Sequence, residues 1–414
     1  MPQNARHQMT RTRYGVSPWV GGAARKATYP ALAERLEIPI VIIGGGLTGV
    51  ATAYACAAAG LRVALAEADR IGHGASAMGA GIVQQTPPIG LVDMEAQHGR
   101  RVAKAISTAW RRAALELAAT VRRLNIRAGF TPAEGITWAQ TSSAAGPLER
   151  ELAARRAAGL EGTWLTRRAI ASIGLDGVGG IRTRGDAIVD PVKLCEGFAR
   201  AAAARGAMLF ERTRAVTVSQ ARGRIEIQSA RGRLACETVV VATGEPTGLF
   251  DPLARHVAAC SAYAVQTPPA KAAVRKAVRD RSLILQDSQQ PPHRLAWTAG
   301  DRILWTGADS PRVADRLLAQ TVVQRTGQLM YELSLLLPDI SGVQPEHGWQ
   351  VPYSVGRDGL PIVASHRSYP HHLFAFGLGT NPAAAFLASR LLLRHLNGTA
   401  DKADAAFGFT RVTR

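Results

Sequence analysis

At 414 residues the chain is too long for one simple core and suits two or three domains. A hydrophobic fraction of 47% and a charged fraction of 20% place it among ordinary globular proteins, and no apolar run reaches the ~18–20 residues of a spanning helix. The net charge of +19 invites a nucleic-acid reading, but the arginines are spread along the whole chain with no like-charge block or aromatic-interleaved basic patch, so the excess reads as a preference for Arg with some attraction for small anions.

Residues 1–37 are polar and punctuated by Pro and Gly, and read as an irregular leader on the surface. They lack the apolar core of a secretory signal, so the cytoplasm is the expected compartment. From Ile40 to Glu67 the pattern is strand, glycine turn, helix, strand and acidic cap: Ile40-Val41-Ile42-Ile43-Gly44-Gly45-Gly46-Leu47-Thr48-Gly49, then Arg62 to Glu67. Gly44 permits the tight turn, Gly46 lets the backbone approach a pyrophosphate, and Gly49 lets the helix pack on the sheet. The phosphates would sit on the N–H groups that open the helix, and Glu67 would accept from an adenosine ribose. This spacing predicts an adenine dinucleotide site.

The small residues from Ile71 to Gly81 cannot build a core and suggest backbone passing close to a ligand. Helical patterns follow over Asp93–Leu124 and Gly146–Ala158, and a third runs from Pro191 to Ala204 with Asp190 as its N-cap. Strands are predicted at Ala207–Phe210, Arg214–Ser219, Arg224–Gln228 and Thr238–Gly244. Further strands are expected at Leu283–Gln286, Arg294–Thr298 and Arg302–Thr306, with Ala299-Gly300-Asp301 as a hairpin turn. A long helix is expected over Pro311–Leu336, and a strand, a glycine turn and a helix over Pro382–Leu396 close the chain. Cys56, Cys195, Cys236 and Cys260 form no C-x-x-C pair and read as reduced structural thiols. His371 and His372 would point to opposite faces of a strand, so no metal site is expected.

These motifs together resemble the D-amino-acid oxidase family of FAD-dependent amine and amino-acid oxidoreductases, in its glycine/sarcosine oxidase and γ-glutamylputrescine oxidoreductase-like branch. The resemblance is carried by Arg70 to Ser76 with Gly79 and Gly81, by Thr213 to Val216, by Val241-Ala242-Thr243-Gly244, and by the closing motif. That motif comprises Trp349, Arg357-Asp358-Gly359-Leu360-Pro361 and Phe376-Gly377-Leu378-Gly379-Thr380-Asn381. It departs from the family at Gln350-Val351 and at Thr380-Asn381-Pro382. No single residue in the 283–306 strands matches the family's carboxylate-binding arginine or tyrosine.

The resemblance implies an α/β fold: a Rossmann-like FAD-binding domain of the glutathione-reductase type, interrupted by a substrate domain of mixed antiparallel sheet and helices. Residues 38–112, 188–250 and 346–400 would form the first, residues 113–187 and 251–345 the second, and residues 401–414 a C-terminal tail. It implies non-covalent FAD held by Gly44, Gly46, Leu47, Thr48, Gly49, Glu67, Ala68, Gly74, Ala75, Ser76, Gly79, Gly81 and Ile82. Ala215, Val216, Ala242, Thr243, Gly244, Arg357, Asp358, Gly359, Gly377, Gly379, Thr380 and Asn381 would complete the set. His73, a tethering position in some relatives, reads as a loop residue beside the cofactor.

The implied reaction is oxidation of the C–N bond of a small amine or amino acid by hydride transfer to flavin N5, with O2 or another electron acceptor. His293 and Arg294 fall where the family places substrate-binding side chains, and an arginine there could hold a carboxylate through two parallel hydrogen bonds. Two alternatives share the opening motif: an NAD(P)-dependent dehydrogenase, and a non-catalytic flavoprotein subunit with a degraded substrate site.

Overall fold

The computed structural model describes residues 11–20, 29–221, 223–278 and 280–413. A six-stranded sheet runs in the order Ile362–His366, Tyr369–Phe376, Thr238–Gly244, Ile40–Ile43, Val63–Ala66 and Met208–Phe210. All its neighbours are parallel except the first pair. The Ile40–Ile43 and Val63–Ala66 strands are buried at every position, as expected of parallel strands covered on both faces. The helices Leu47–Ala58, Pro191–Ala203 and Pro382–Leu396 pack together on one side, where Tyr54, Phe198 and Phe386 stack in a tilted row. Asp190 caps the second of these helices through the Val192 and Lys193 N–H groups, as the sequence predicts.

Two glycines fix the turn at the top of the first strand. Gly44 has φ +107°, and a Cβ on Gly49 would lie 1.8 Å from the Gly44 carbonyl oxygen, so the helix can approach the strand only at glycine.

The larger sheet has ten strands and is mostly antiparallel. Its path runs Arg13–Tyr14, His347–Gly356, Val257–Gln266, Arg302–Pro311, Arg294–Thr298, Leu283–Asp287, Thr131–Ala139, Gly179–Ile188 and Ile82–Val83, with Thr163–Thr166 as a side strand. One face carries Ala262, Ala264, Ala296, Leu304, Trp349 and Val351; the other packs on the helix Asp315–Leu336. A small sheet of Thr217–Ala221, Arg224–Gln228, Arg233–Cys236 and Arg35–Glu37 completes the fold.

Three expectations are corrected. The described part of the leader is not loose on the surface. Arg13–Tyr14 pairs with His347–Gly348, Ser17 is fully buried with its hydroxyl on the Ala77 carbonyl, and Trp19 Nε1 donates to the Gly79 carbonyl. Residues 1–10 and 21–28 lie outside the described residues. The helix expected over Asp93–Leu124 is two helices, Leu91–His98 and Arg100–Arg123, because Gly99 at φ +80° breaks it. The helix expected from Pro311 starts at Asp315, since the preceding strand runs on to Pro311.

Candidate active site

A cavity of about 670 Å³ opens along the C-terminal ends of the parallel strands, the place where open α/β sheets bind ligands. The Leu47–Ala58 helix points into it, and its N-cap, Gly46, has no side chain of its own to cap the first turn. An uncapped helix start offers N–H donors and a positive dipole end to an anion. Glu67 stands beside that start, accepting from Gly45 N–H at 2.6 Å and Asp69 N–H at 2.8 Å. Ser76 accepts from Leu47 N–H at 3.0 Å and so ties the 74–79 loop to the helix start.

At the far end the loop Leu378–Asn381 leads into the last helix, with Gly379 at φ +66° and open space where a Cβ would stand. Gly379 N–H donates to the Ser354 carbonyl at 2.9 Å, and the Ser354 hydroxyl donates to the Gly244 carbonyl at 2.7 Å, so this end of the cavity is pinned to the large sheet. Gly46, Gly74, Gly244 and Gly379 line this wall without side chains. A long, glycine-walled trough with a helix start open to an anion and an acidic residue beside it fits an adenine dinucleotide.

Of the sequence-derived cofactor residues, Gly44, Gly46, Leu47, Thr48, Glu67, Ala68, Gly74, Ala75, Ser76, Gly79 and Gly81 line the cavity. Ala215, Val216, Ala242, Thr243, Gly244, Gly379, Thr380 and Asn381 line it as well. Gly49 stands behind it, where it permits the helix–strand contact.

Five others are placed elsewhere. Ile82 is buried in the large sheet opposite Ile188. The Asp358 carboxylate receives Arg411 Nε at 2.6 Å and stands 3.2 Å from His98 Nε2, so it clamps the C-terminal segment to the closing motif. Arg357 Nε donates to the Arg255 carbonyl, Gly359 turns against Ile89, and Gly377 packs on the Gly356 backbone. These positions hold the scaffold together. Arg214, Thr247 to Leu249, Val351 and Pro352 also line the cavity. Of these, Arg214 lies within the recognised segment Thr213–Val216 and Val351 at a departure from the closing motif, whereas Thr247 to Leu249 and Pro352 carry no motif.

The two substrate-site candidates point in opposite directions from the Arg294–Thr298 strand. His293 stacks on Trp305 and contacts Asp287 through Nδ1 at 2.9 Å and Glu332 through Nε2 at 3.1 Å, beneath the Asp315–Leu336 helix. Burial pulls its imidazole down, and the Asp287 hydrogen bond with the two carboxylates more than restores it, leaving it raised. It packs on the helix-covered face, opposite the face that carries Arg294, which does not fit a catalytic role.

Arg294 lies on the alanine-rich face. Its Nε donates to Gln286 Oε1 at 2.9 Å, and no carboxylate among the described residues comes within 4.0 Å of its guanidinium. Gln286 Oε1 also accepts from Gln84 Nε2 at 3.1 Å. The Gln84 backbone in turn exchanges two bonds with the Asn381 side chain, at 3.2 and 2.8 Å. Asn381 caps the last helix and lines the cavity. Arg294 is thereby connected to the cofactor cavity through three side chains.

Gln84 and Gln286 also line a second cavity, of about 380 Å³, together with Asp186. The Asp186 carboxyl is 4% exposed, and burial pushes it up to about 7 against the opposing bond from Gln85 N–H at 3.0 Å. Its folded value lies above the unfolded value of about 3.9, so the native state holds the proton longer. Stability from this group is therefore full below about pH 4 and declines as pH rises to about 7. Asp186→Asn removes that decline. Its stability relative to wild type should rise by about 2–4 kcal/mol between pH 4 and pH 8, read by urea unfolding. A pH-independent difference would show that Asp186 is ionised in the native state throughout.

A family model described as FAD dependent oxidoreductase (DAO) matches residues 39–393. The chain is 22% identical over 406 residues to γ-glutamylputrescine oxidoreductase of Escherichia coli K12, covering 95% of this chain and 92% of that one. It is 26% identical over 341 residues to glycine oxidase of Geobacillus kaustophilus, covering 79% and 84%. The crystal structure of glycine oxidase from that organism superposes with a TM-score of 0.73 at 22% identity, covering 91% of this chain and 99% of the other. No helix among the described residues is long and apolar enough to cross a membrane.

Proposed function

The chain belongs to the DAO family of FAD-dependent oxidoreductases, an enzyme acting on amines or amino acids, and on that premise we propose that it oxidises the C–N bond of a small amine bearing a carboxylate by hydride transfer to flavin N5. The observation that carries this reading is Arg294: a partly buried guanidinium with no carboxylate within 4.0 Å among the described residues, hydrogen-bonded through Gln286 and Gln84 to the wall of the cofactor cavity.

FAD supplies the two-electron acceptor when bound, and the chain's own residues do the rest. Glu67 and the open start of the Leu47–Ala58 helix hold the two ends of the adenosine diphosphate portion. The N-terminus of the Pro382–Leu396 helix directs its dipole at the other end of the cavity, where it favours negative charge. Arg294 fixes the substrate carboxylate, on the same face as the apolar cluster of Ala262, Ala264, Ala296, Leu304 and Trp349. Trp349 Nε1 donates to the Met78 carbonyl at 2.9 Å and so locks that face to the 74–81 loop.

The test is anaerobic addition of sarcosine, proline, glycine and uncharged amines to the purified flavoprotein. Bleaching by the carboxylate-bearing amines is expected. If none bleaches a flavin that dithionite still reduces, the non-catalytic subunit reading takes its place.

The same reading holds FAD without a covalent bond. Burial pushes the Cys56, Cys195 and Cys236 thiols up to about 12, far from the thiolate that tethering needs. His73 precedes the lining residues 74–76 and is not among them. Acid precipitation should leave the yellow colour in the supernatant; a coloured pellet would contradict this.

A further inference from the structure

The helix Asp315–Leu336 covers one face of the large sheet, and its outer side stands in solvent. Of the nine exposed large hydrophobic residues among the described residues, Leu317, Val323, Tyr331 and Leu335 lie on this helix. Tyr331 and Leu335, at 64% and 66%, are the most exposed of the nine. Tyr14 and Val16, two more, lie on and beside the edge strand Arg13–Tyr14 at the same border. Tyr14 pairs with Gly348, where a Cβ would stand 2.2 Å from Thr326 of the helix.

The outer side is also free of charge from Leu317 to Leu335. The two charged residues in that stretch are turned to the sheet: Arg325 lies 5.9 Å from the Tyr263 ring centre, and Glu332 Oε2 stands 3.1 Å from His293 Nε2. Two copies of a chain with net charge +19 repel each other over most of their surface. An uncharged strip about 27 Å long is where they can meet at least cost.

Gly327 stands in the middle of the strip. Glycine is the poorest helix former after proline, yet nothing inside the chain requires it here, since a Cβ would meet no atom within 4 Å. The strip is also self-complementary about the level of residue 329. In an antiparallel pair, a two-fold axis at that level sets Tyr331 of each copy over Gly327 of the other, and Val323 against Leu335. At either end, exposed Arg316 in the first turn faces the stretch just past the last turn that carries exposed Asp339. The positive start of each helix likewise meets the negative end of the other.

We propose that this face joins two copies of the chain in an isologous dimer, with each Tyr331 ring seated on Gly327 of the second copy. A strip of this length and one helix wide buries on the order of 1,000 Å² in total, at the lower end for a specific interface, so the dimer is reversible and dissociates in the micromolar range.

The test is sedimentation velocity of the full FAD-loaded chain over a concentration series. Wild type should pass from monomer to dimer as concentration rises. Gly327→Leu meets open space within its own chain and favours the helix, so it should melt no lower than wild type while weakening the dimer at least about tenfold. Tyr331→Ser should weaken it comparably, and Leu115→Ser, which removes an exposed leucine elsewhere, should change nothing. Arg316→Asp should weaken the dimer, and Asp339→Arg in the same chain should restore it, because the exchanged charges meet again in an antiparallel pair. A chain that stays monomeric at every concentration overturns the proposal and leaves the strip to a different partner. A dimer as strong in folded Gly327→Leu and Tyr331→Ser as in wild type also overturns it, since the copies then meet through another face.

Discussion

Replacing Gly46 with valine is expected to give a folded protein that holds no FAD. The three glycines of the opening turn differ in what they would cost. At Gly44 a side chain would require φ +107° and stand 2.7 Å from the Ala242 carbonyl, and at Gly49 it would collide with the Gly44 carbonyl. Substitution at either damages the fold itself. Gly46 has φ −69° and ψ 179°, a conformation open to any residue, and its Cβ would meet only Ser76 Oγ, at 3.1 Å. The two branches of valine would extend into the cavity at the helix start, where backbone and pyrophosphate must meet. The measurement is flavin per chain by absorbance, with a melting curve as the control for folding. Stoichiometric flavin in a folded Gly46→Val protein would place the phosphates elsewhere.

Much of the nucleotide half is written locally in the chain. Glycine spacing, a four-residue buried strand and an acidic residue at a fixed distance encode the turn, the helix start and Glu67 within one segment of about 30 residues. The large sheet is written differently. Its strands Thr131–Ala139, Gly179–Ile188, Val257–Gln266 and His347–Gly356 are absent from the elements predicted from sequence.

Gly179–Ile188 shows why. A Cβ at Gly179 would lie 2.4 Å from the Trp164 ring, and one at Gly180 would lie 2.6 Å from the Thr137 carbonyl, so close packing demands residues that strand propensity penalises. The sheet's tertiary contacts chose the residues, and the local pattern was lost. The same holds for the surroundings of Arg294, which only the register of the sheet brings beside Gln286 and the alanine-rich face. His293 and Arg294 were indistinguishable as neighbours in sequence. Strand alternation sends one to a salt-bridged core and the other to the alanine-rich face.

Arg294→Ala is accordingly expected to lower kcat/KM for a carboxylate-bearing amine by roughly 10²-fold or more, the usual effect of losing a charge-assisted, two-point hydrogen bond. The truncation is clean by the geometry. Gln286 Oε1 loses the Arg294 Nε donor but keeps Gln84 Nε2, so the connection to Asn381 and the cavity wall stays in place. Removing a partly buried cation also relieves a desolvation cost, and the variant should melt no lower than wild type. Arg294→Lys keeps a charge but not the planar fork, and should recover only part of the loss. Uncharged amines provide the internal control, because they never engaged the guanidinium and should react equally with wild type and Arg294→Ala. The quantity to measure is the anaerobic rate of flavin reduction across substrate concentrations for both substrate classes. If uncharged amines reduce the wild-type flavin best, or if Arg294→Ala handles sarcosine, proline and glycine like wild type, the guanidinium is a structural member of the sheet and the carboxylate is held elsewhere.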